Sequence, residues 1–170
     1  MLKKLENKIF PFRFHCTRCG ACCTHMLMGV PLFHTDIQDI SGILKTNKGD
    51  FINRYCDLIV HKIPNNQNTL RVHAFYLKLF DSRCIFYENN GCAVNDVKPY
   101  LCKTAPFISL LFQDSTVIDN FKKRCKGFGH GPYYNKKTIK FMLKQEAKLE
   151  KAEWELFNNG FYDNLMKKAL

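Results

Sequence analysis

Nine cysteines fall in 170 residues, and four of them occupy eight positions: Cys16-Thr17-Arg18-Cys19-Gly20-Ala21-Cys22-Cys23. Two residues between thiols let successive side chains turn inward on one metal centre, with backbone amides in reach of the sulfurs. Gly20 removes a Cβ where the chain must bend sharply. Adjacent Cys22 and Cys23 cannot serve one ion equivalently, because neighbouring side chains diverge. The pair implies either two neighbouring centres or one ligand beside a supporting or redox-active thiol. Cys84, Cys92, Cys102 and Cys125 follow and bring the candidate ligands to eight, enough for two four-thiolate sites. Isolated Cys56 lies between Ile52 and Ile59 at helical spacing and reads as a small buried hydrophobe.

Thiolate-only ligation suits Zn²⁺ and iron–sulfur clusters alike. Zinc sites usually pair two C-x2–4-C knuckles, and the downstream cysteines form no second knuckle. A C-x2-C-x2-C triplet with remote partners is the ferredoxin arrangement, which favours a cluster, expected to be 4Fe-4S, over zinc. Phe12, Phe14, Phe86 and Phe107 are available to shield it from water. His15 and His25 flank the quartet and could replace a thiolate, although scattered histidines are more often surface or satisfied core groups. Cys125 follows Lys122-Lys123-Arg124, whose charges are expected to favour its thiolate. Glycines 127, 129 and 131 are expected to bring backbone amides close to the centre. The same glycines lack the strand-before, helix-after context of a phosphate loop, and no G-x-S-x-G, H-E-x-x-H or Walker lysine is present.

Positioning these thiols falls to a chain of 46% hydrophobic and 24% charged residues, a composition that buries a core without disulfide staples. No apolar run approaches the ~20 residues of a membrane span. Charged Met1–Lys8 is followed by no apolar stretch, so no signal peptide is expected and the thiols are read as reduced and cytoplasmic. The net charge of +11 would suit a polyanion. With 20 Lys against 6 Arg, 14 Asn and no recognition motif, a compositional bias explains it better. A redox or protein partner is therefore expected ahead of nucleic acid, and no membrane partner.

Thr35-Asp36-Ile37-Gln38 has the form of a capping box opening a helix on Ile37, Ile40 and Leu44 that ends at Lys48-Gly49. Asp50 is the expected cap of a second helix carrying Phe51, Ile52, Tyr55, Leu58 and Ile59. Residues 59–63 and 70–80 read as a hairpin joined by turn material at 64–68. Glu88-Asn89-Asn90-Gly91 is a tighter turn between Cys84-Ile85-Phe86-Tyr87 and Cys92-Ala93-Val94. Asn95 is placed to cap a short helix through Tyr100, Leu101 and Cys102, stopped by Pro106. Ile139, Met142, Leu143, Ala147, Trp154 and Phe157 form the stripe of a long C-terminal helix ended by Asn159-Gly160. The expectation is a small, irregular α+β domain over residues 1–170, with a cysteine core at about 12–131 and a helical extension at about 135–170.

In that order, Phe14-His15-Cys16-Thr17-Arg18-Cys19-Gly20-Ala21-Cys22-Cys23, then Cys84 and Cys92, Pro99-Tyr100-Leu101-Cys102 and Pro106-Phe107 resemble the YkgJ-type CxxCxxCC zinc- or iron-chelating family. Cys125-Lys126-Gly127-Phe128-Gly129 resembles the C-x-G-φ-G element that often closes that family's domain, and Thr35 and Asp36 match its T-x-x-D-like helix start. Lys98-Pro99 stands where the family usually has Arg-Pro, and Ala105 where an aromatic residue is common. The resemblance implies metal chelation and a relation to flagellin lysine N-methylases, larger proteins thought to hold an iron–sulfur centre. The leading expectation is an iron–sulfur protein for electron transfer or a metal-dependent modification, which as an enzyme would be an oxidoreductase or methylase-related. The alternative is a zinc-stabilised module whose basic surface contacts RNA or an acidic protein.

Overall fold

The computed structural model describes residues 5–163 apart from 6, 25, 27, 66 and 67. Strand β1 (Phe12–Phe14) leads into the cysteine quartet, which precedes helices α1 (His34–Ile43) and α2 (Lys48–Tyr55). A long antiparallel hairpin, β2 (Cys56–Asn65) and β3 (Asn68–Leu77), follows. Two-residue strands β4 (Leu79–Phe80), β5 (Arg83–Cys84), β6 (Tyr87–Glu88) and β7 (Gly91–Cys92) then form two tight hairpins. Short helices α3 (Tyr100–Thr104) and α4 (Ser109–Gln113), α5 (Ser115–Arg124), strand β8 (Phe128–Tyr134) and α6 (Lys136–Asn158) complete the described chain. This is the expected α+β mixture of short antiparallel pairs with a long C-terminal helix. Among the described residues no helix is long and apolar enough to cross a membrane.

Several boundaries differ from the sequence reading. The capping box sits two residues earlier, because the Asp36 carboxylate accepts the Phe33 N–H at 3.0 Å and helix α1 begins at His34. The cap of α2 is Asn47, whose Oδ1 accepts the Asp50 N–H at 2.9 Å, so Asp50 is the capped residue. That helix stops at Tyr55. Leu58 and Ile59 pair with Phe75 and Ala74 across the hairpin, where β-branched and aromatic neighbours favour a strand over another helical turn. Cys56 is consequently the first strand residue, and it is buried as expected. Pairing extends through Pro64↔Thr69 to Asn65↔Asn68, into the stretch read as turn at 64–68. Pro99 separates a single 3-10 turn (Asn95–Val97) from α3, where one helix was expected. The turn at Asn89-Asn90 is as expected, with both residues left-handed at φ 47° and 59°.

The apolar residues form two cores. One gathers Ile9 and Phe14 from the chain's beginning with Phe107 and with Leu111, Phe112, Ile118, Phe121, Ile139 and Leu143 of the later helices. The other gathers Leu32, Ile37, Ile40, Phe51, Ile52, Phe75, Leu77, Phe86 and Val94 from the middle, with Tyr162 laid against them. Pairing of β1 with β8, Phe14↔Phe128 and Phe12↔Tyr134, brings the segment before the quartet beside the segment after Cys125. An aromatic stack fixes that ribbon: Phe12 on Phe107 at 5.3 Å, Phe14 edge-on to Phe107 at 5.9 Å, and Phe107 against Tyr134 at 4.3 Å.

Helix α6 buries Ile139 and Leu143 as its stripe implies, but Trp154 stays 39% exposed and Glu153 turns inward instead. Glu153 accepts the His34 N–H at 3.0 Å, lies 3.1 Å from His34 Nδ1 and accepts the Tyr162 hydroxyl. Two helical turns earlier along α6, Glu146 accepts the Ser109 N–H at 2.7 Å and its hydroxyl at 3.0 Å. Burial pushes the Glu146 carboxyl up to about 7, against the pull of those two bonds. A folded-state pKa above the unfolded one means that folding takes up a proton. The stabilising contribution is therefore full below the unfolded value near 4.5 and is lost as pH rises through about 7. Glu146→Gln is expected to flatten the fall in stability over that window by up to about 3 kcal/mol. Urea melts of both proteins at pH 4.5, 6 and 8 would check it; parallel curves would contradict it.

Candidate metal centre

The quartet lies on a loop after β1 with few backbone hydrogen bonds of its own. The Cys23 N–H donates to the Gly20 carbonyl at 2.8 Å and the Thr24 hydroxyl to the same oxygen at 3.1 Å. Gly20 is left-handed at φ 74°, and a Cβ there would stand 2.5 Å from the Tyr87 hydroxyl oxygen, so glycine is required twice over. The loop is tied down from outside. The Cys84 N–H donates to the Cys23 carbonyl at 2.9 Å, and the His15 N–H to the Gly127 carbonyl at 3.1 Å. Cys84 and Cys92 come in on the edges of the small hairpins, Cys102 on α3, and Cys125 from the residue after α5.

All eight candidate thiols, Cys16, Cys19, Cys22, Cys23, Cys84, Cys92, Cys102 and Cys125, line one cavity of about 350 Å³. Phe14 and Phe121 of the first core close one side and Leu77, Phe86 and Val94 of the second close the other. The cavity is therefore a seam between the two cores. Cys56 lies in the second core and does not line it. Of the four expected shielding aromatics, Phe14 and Phe86 face the cavity, while Phe12 and Phe107 stand behind Phe14. His15 is exposed and does not line this cavity; His25 falls outside the described residues.

The adjacent pair is inequivalent, as its geometry requires. Cys22 Sγ and Cys23 Sγ are 3.9 Å apart. Hydrogen bonding from the Cys23 thiol brings Cys22 down to about 7, with Lys98 nearby helping, while the same bond and burial push Cys23 upward. Burial also raises Cys102 and Cys84. Burial opposes ionisation of Cys19 too, but amides of Ala21 and Lys126 and the Thr17 and Cys125 side chains outweigh it and lower that thiol. Cys125 departs from expectation. Its neighbours Lys122-Lys123-Arg124 do not dominate; burial in the first core pushes it up to about 11, and only the Gly127 amide pulls it back. Gly127 thus does reach a sulfur, yet its lack of a Cβ answers to another need. A Cβ there would stand 2.2 Å from the His15 carbonyl oxygen, where β1 and β8 cross.

The residue sequence reasoning undervalued is Asp36. It is 4% exposed and spans two elements: Oδ2 accepts the Phe33 N–H and Oδ1 the Tyr100 N–H at 2.9 Å. It therefore fixes the start of α3, two residues before Cys102, to the start of α1. An acidic residue in a first helical turn signals a cap, but nothing local reveals a second amide 64 residues away. Asp36→Asn keeps one acceptor oxygen and turns an N–H₂ toward one of the two amides. It is expected to cost about 1–3 kcal/mol and to reduce metal per chain. A variant with unchanged melting temperature and metal content would contradict that role.

The donor set fits a thiophilic metal group: eight sulfurs, four amide donors aimed at them and apolar walls. Among the described residues no three His, Cys, Asp or Glu side chains stand grouped closely enough to hold one metal ion as placed. No curated protein and no solved structure matches the chain significantly. A family model does match over residues 15–152, that of the CxxCxxCC family, described as a "Putative zinc- or iron-chelating domain". The match runs from the residue before the first cysteine to beyond the last, and the chain belongs to this family of cysteine-cluster, metal-chelating domains.

Proposed function

We propose that the chain holds an iron–sulfur cluster in the thiol cavity, and serves electron transfer or a metal-dependent modification reaction. The observation that carries this reading is the convergence of eight thiols on a single space of about 350 Å³. That is more sulfur and more room than one tetrahedral zinc uses. Cys16, Cys19, Cys22, Cys23, Cys84, Cys92, Cys102 and Cys125 are the residues that would hold it. When bound, such a cluster supplies one-electron transfer at a potential set by its surroundings.

The chain's own residues supply those surroundings. Cys22, brought down to about 7 with its sulfur 3.9 Å from that of Cys23, is the more readily ionised of the adjacent pair. Amides of Ala21 and Lys126 point to Cys19, that of Phe86 to Cys84 and that of Gly127 to Cys125. Lys98 places a positive charge beside Cys22. Phe14, Leu77, Phe86 and Val94 exclude water from the inner wall, while Cys16, Cys19 and Cys22 remain exposed at the outer one. A redox partner would approach there.

Anaerobically purified protein is expected to be coloured and to contain iron with acid-labile sulfide. Visible absorption with iron, sulfide and zinc content measured on one sample would test it. A colourless protein containing only zinc would overturn the reading.

A further inference from the structure

We propose that a second cavity, meeting the first at Cys16 and Cys102, binds a small organic carboxylate beside the metal centre. This rests on the proposed function only in taking those two thiols as ligands. The second cavity measures about 200 Å³ and shares Phe14, Cys16, Lys98, Cys102 and Ala105 with the thiol cavity. That is room for a small organic molecule, more than one water needs.

Apart from the two thiols and the Tyr134 phenol, its ionisable side chains are all basic. Lys98 and Lys103 contribute ammonium groups, His15 an imidazole, and no Asp or Glu lines it. Among the described residues neither lysine's ammonium group makes an ion pair or a hydrogen bond, although Lys103 is felt at Asp36 and Lys98 at Cys22. Asp36 is buried with its oxygens on two amides and does not line the cavity, so its attraction for Lys103 acts from behind the wall. Two cations on one cavity wall without an acid make a site for an anion.

The remaining walls are apolar and flat. Phe107 and Tyr134 pack with ring centroids 4.3 Å apart, and Phe14, Pro132 and Met142 complete the surround. An anion that is all charge, such as phosphate, would leave those walls in water. A carboxylate carried on a flat apolar body would use both halves of the cavity. A ligand held there abuts the sulfurs of Cys16 and Cys102, where it would change the surroundings of a bound cluster without displacing a thiol.

Benzoate is the probe, with benzamide as its uncharged counterpart and inorganic phosphate as the bare anion. Calorimetric titration of the metal-loaded protein is expected to show benzoate bound about tenfold more tightly than benzamide or phosphate. Lys98→Met and Lys103→Met are each expected to weaken benzoate about threefold to fivefold, and Lys103→Met, which does not line the thiol cavity, to leave metal per chain full. Lys151→Met, on an exposed turn of α6, is expected to change neither. Benzoate is also expected to shift the visible spectrum of the loaded protein. Absence of benzoate binding, equal affinity for benzamide, or wild-type affinity in both lysine variants would overturn the proposal. Phosphate binding more tightly than benzoate would overturn the carboxylate assignment. Benzoate binding to folded protein that contains no iron would leave the cavity assignment standing and sink the cluster instead.

Discussion

Chelating the metal is expected to lower the melting temperature by about 20 °C or more. Structural metal sites contribute on the order of 10 kcal/mol of folding free energy, and a chain of this size shifts by about 2–4 °C per kcal/mol. The architecture leaves little else to hold the ligand segments. The quartet loop makes few backbone bonds, and Cys84 and Cys92 sit on strands of two residues each. Two-stranded pairs this short are not stable alone. Eight thiols facing one another around a cavity gain nothing from that arrangement until a cation group enters it. Thermal melts with and without a chelator, followed by circular dichroism, would check the size of the shift. Apo-protein melting at the holo temperature would show that the two cores suffice.

Cys125 and Cys56 are expected to respond in opposite ways, although both are buried. Cys56→Ala removes a small group from the second core, with a stability loss of about 1 kcal/mol and full metal content. Cys125 also packs in apolar surroundings, beside Phe14 and Phe121, so stability alone does not separate the two. What separates them is direction: Cys125 lines the thiol cavity and lies in hydrogen-bond reach of the Cys19 thiol. Cys125→Ser conserves volume and removes only the sulfur, and it is expected to lose metal or to become oxygen-sensitive. Metal per chain, measured side by side in the two variants, decides. Loss from Cys56→Ala with retention in Cys125→Ser would mean a differently built centre.

Much of the site was legible because its signals are local. The C-x2-C-x2-C-C run, the Asn-Asn-Gly turn before Cys92 and the Asn159-Gly160 stop each depend on residues a few positions apart. What was not legible depends on distant partners. Cys56 reads as helical from its neighbours, yet ten pairings with residues 68–77 make it a strand. Trp154 fits the apolar stripe of α6 by spacing, but Glu153 finds His34 and Tyr162 to satisfy it and takes the inner position. Lysines and an arginine before Cys125 imply an acidic thiol, whereas the core around it, assembled from residues 9 to 143, sets the opposite direction. The bond from Asp36 to Tyr100 has no sequence signature at all.

The two cores also differ in when a ribosome completes them. The middle core is drawn mainly from residues 32–94, so most of it can gather as soon as that stretch has emerged. The other joins residues 5–14 to residues 107–143 and must wait. The quartet at 16–23 belongs to the early end and Cys125 to the late one, so about 100 residues are synthesised between them. At roughly 5–20 residues per second, the four thiols of the quartet stand without the later side of their cavity for about 5–20 s before Cys125 is made. With Cys125 among the ligands, loading would be a late event in the life of the nascent chain, and slower translation would lengthen the interval in which oxidation competes with it.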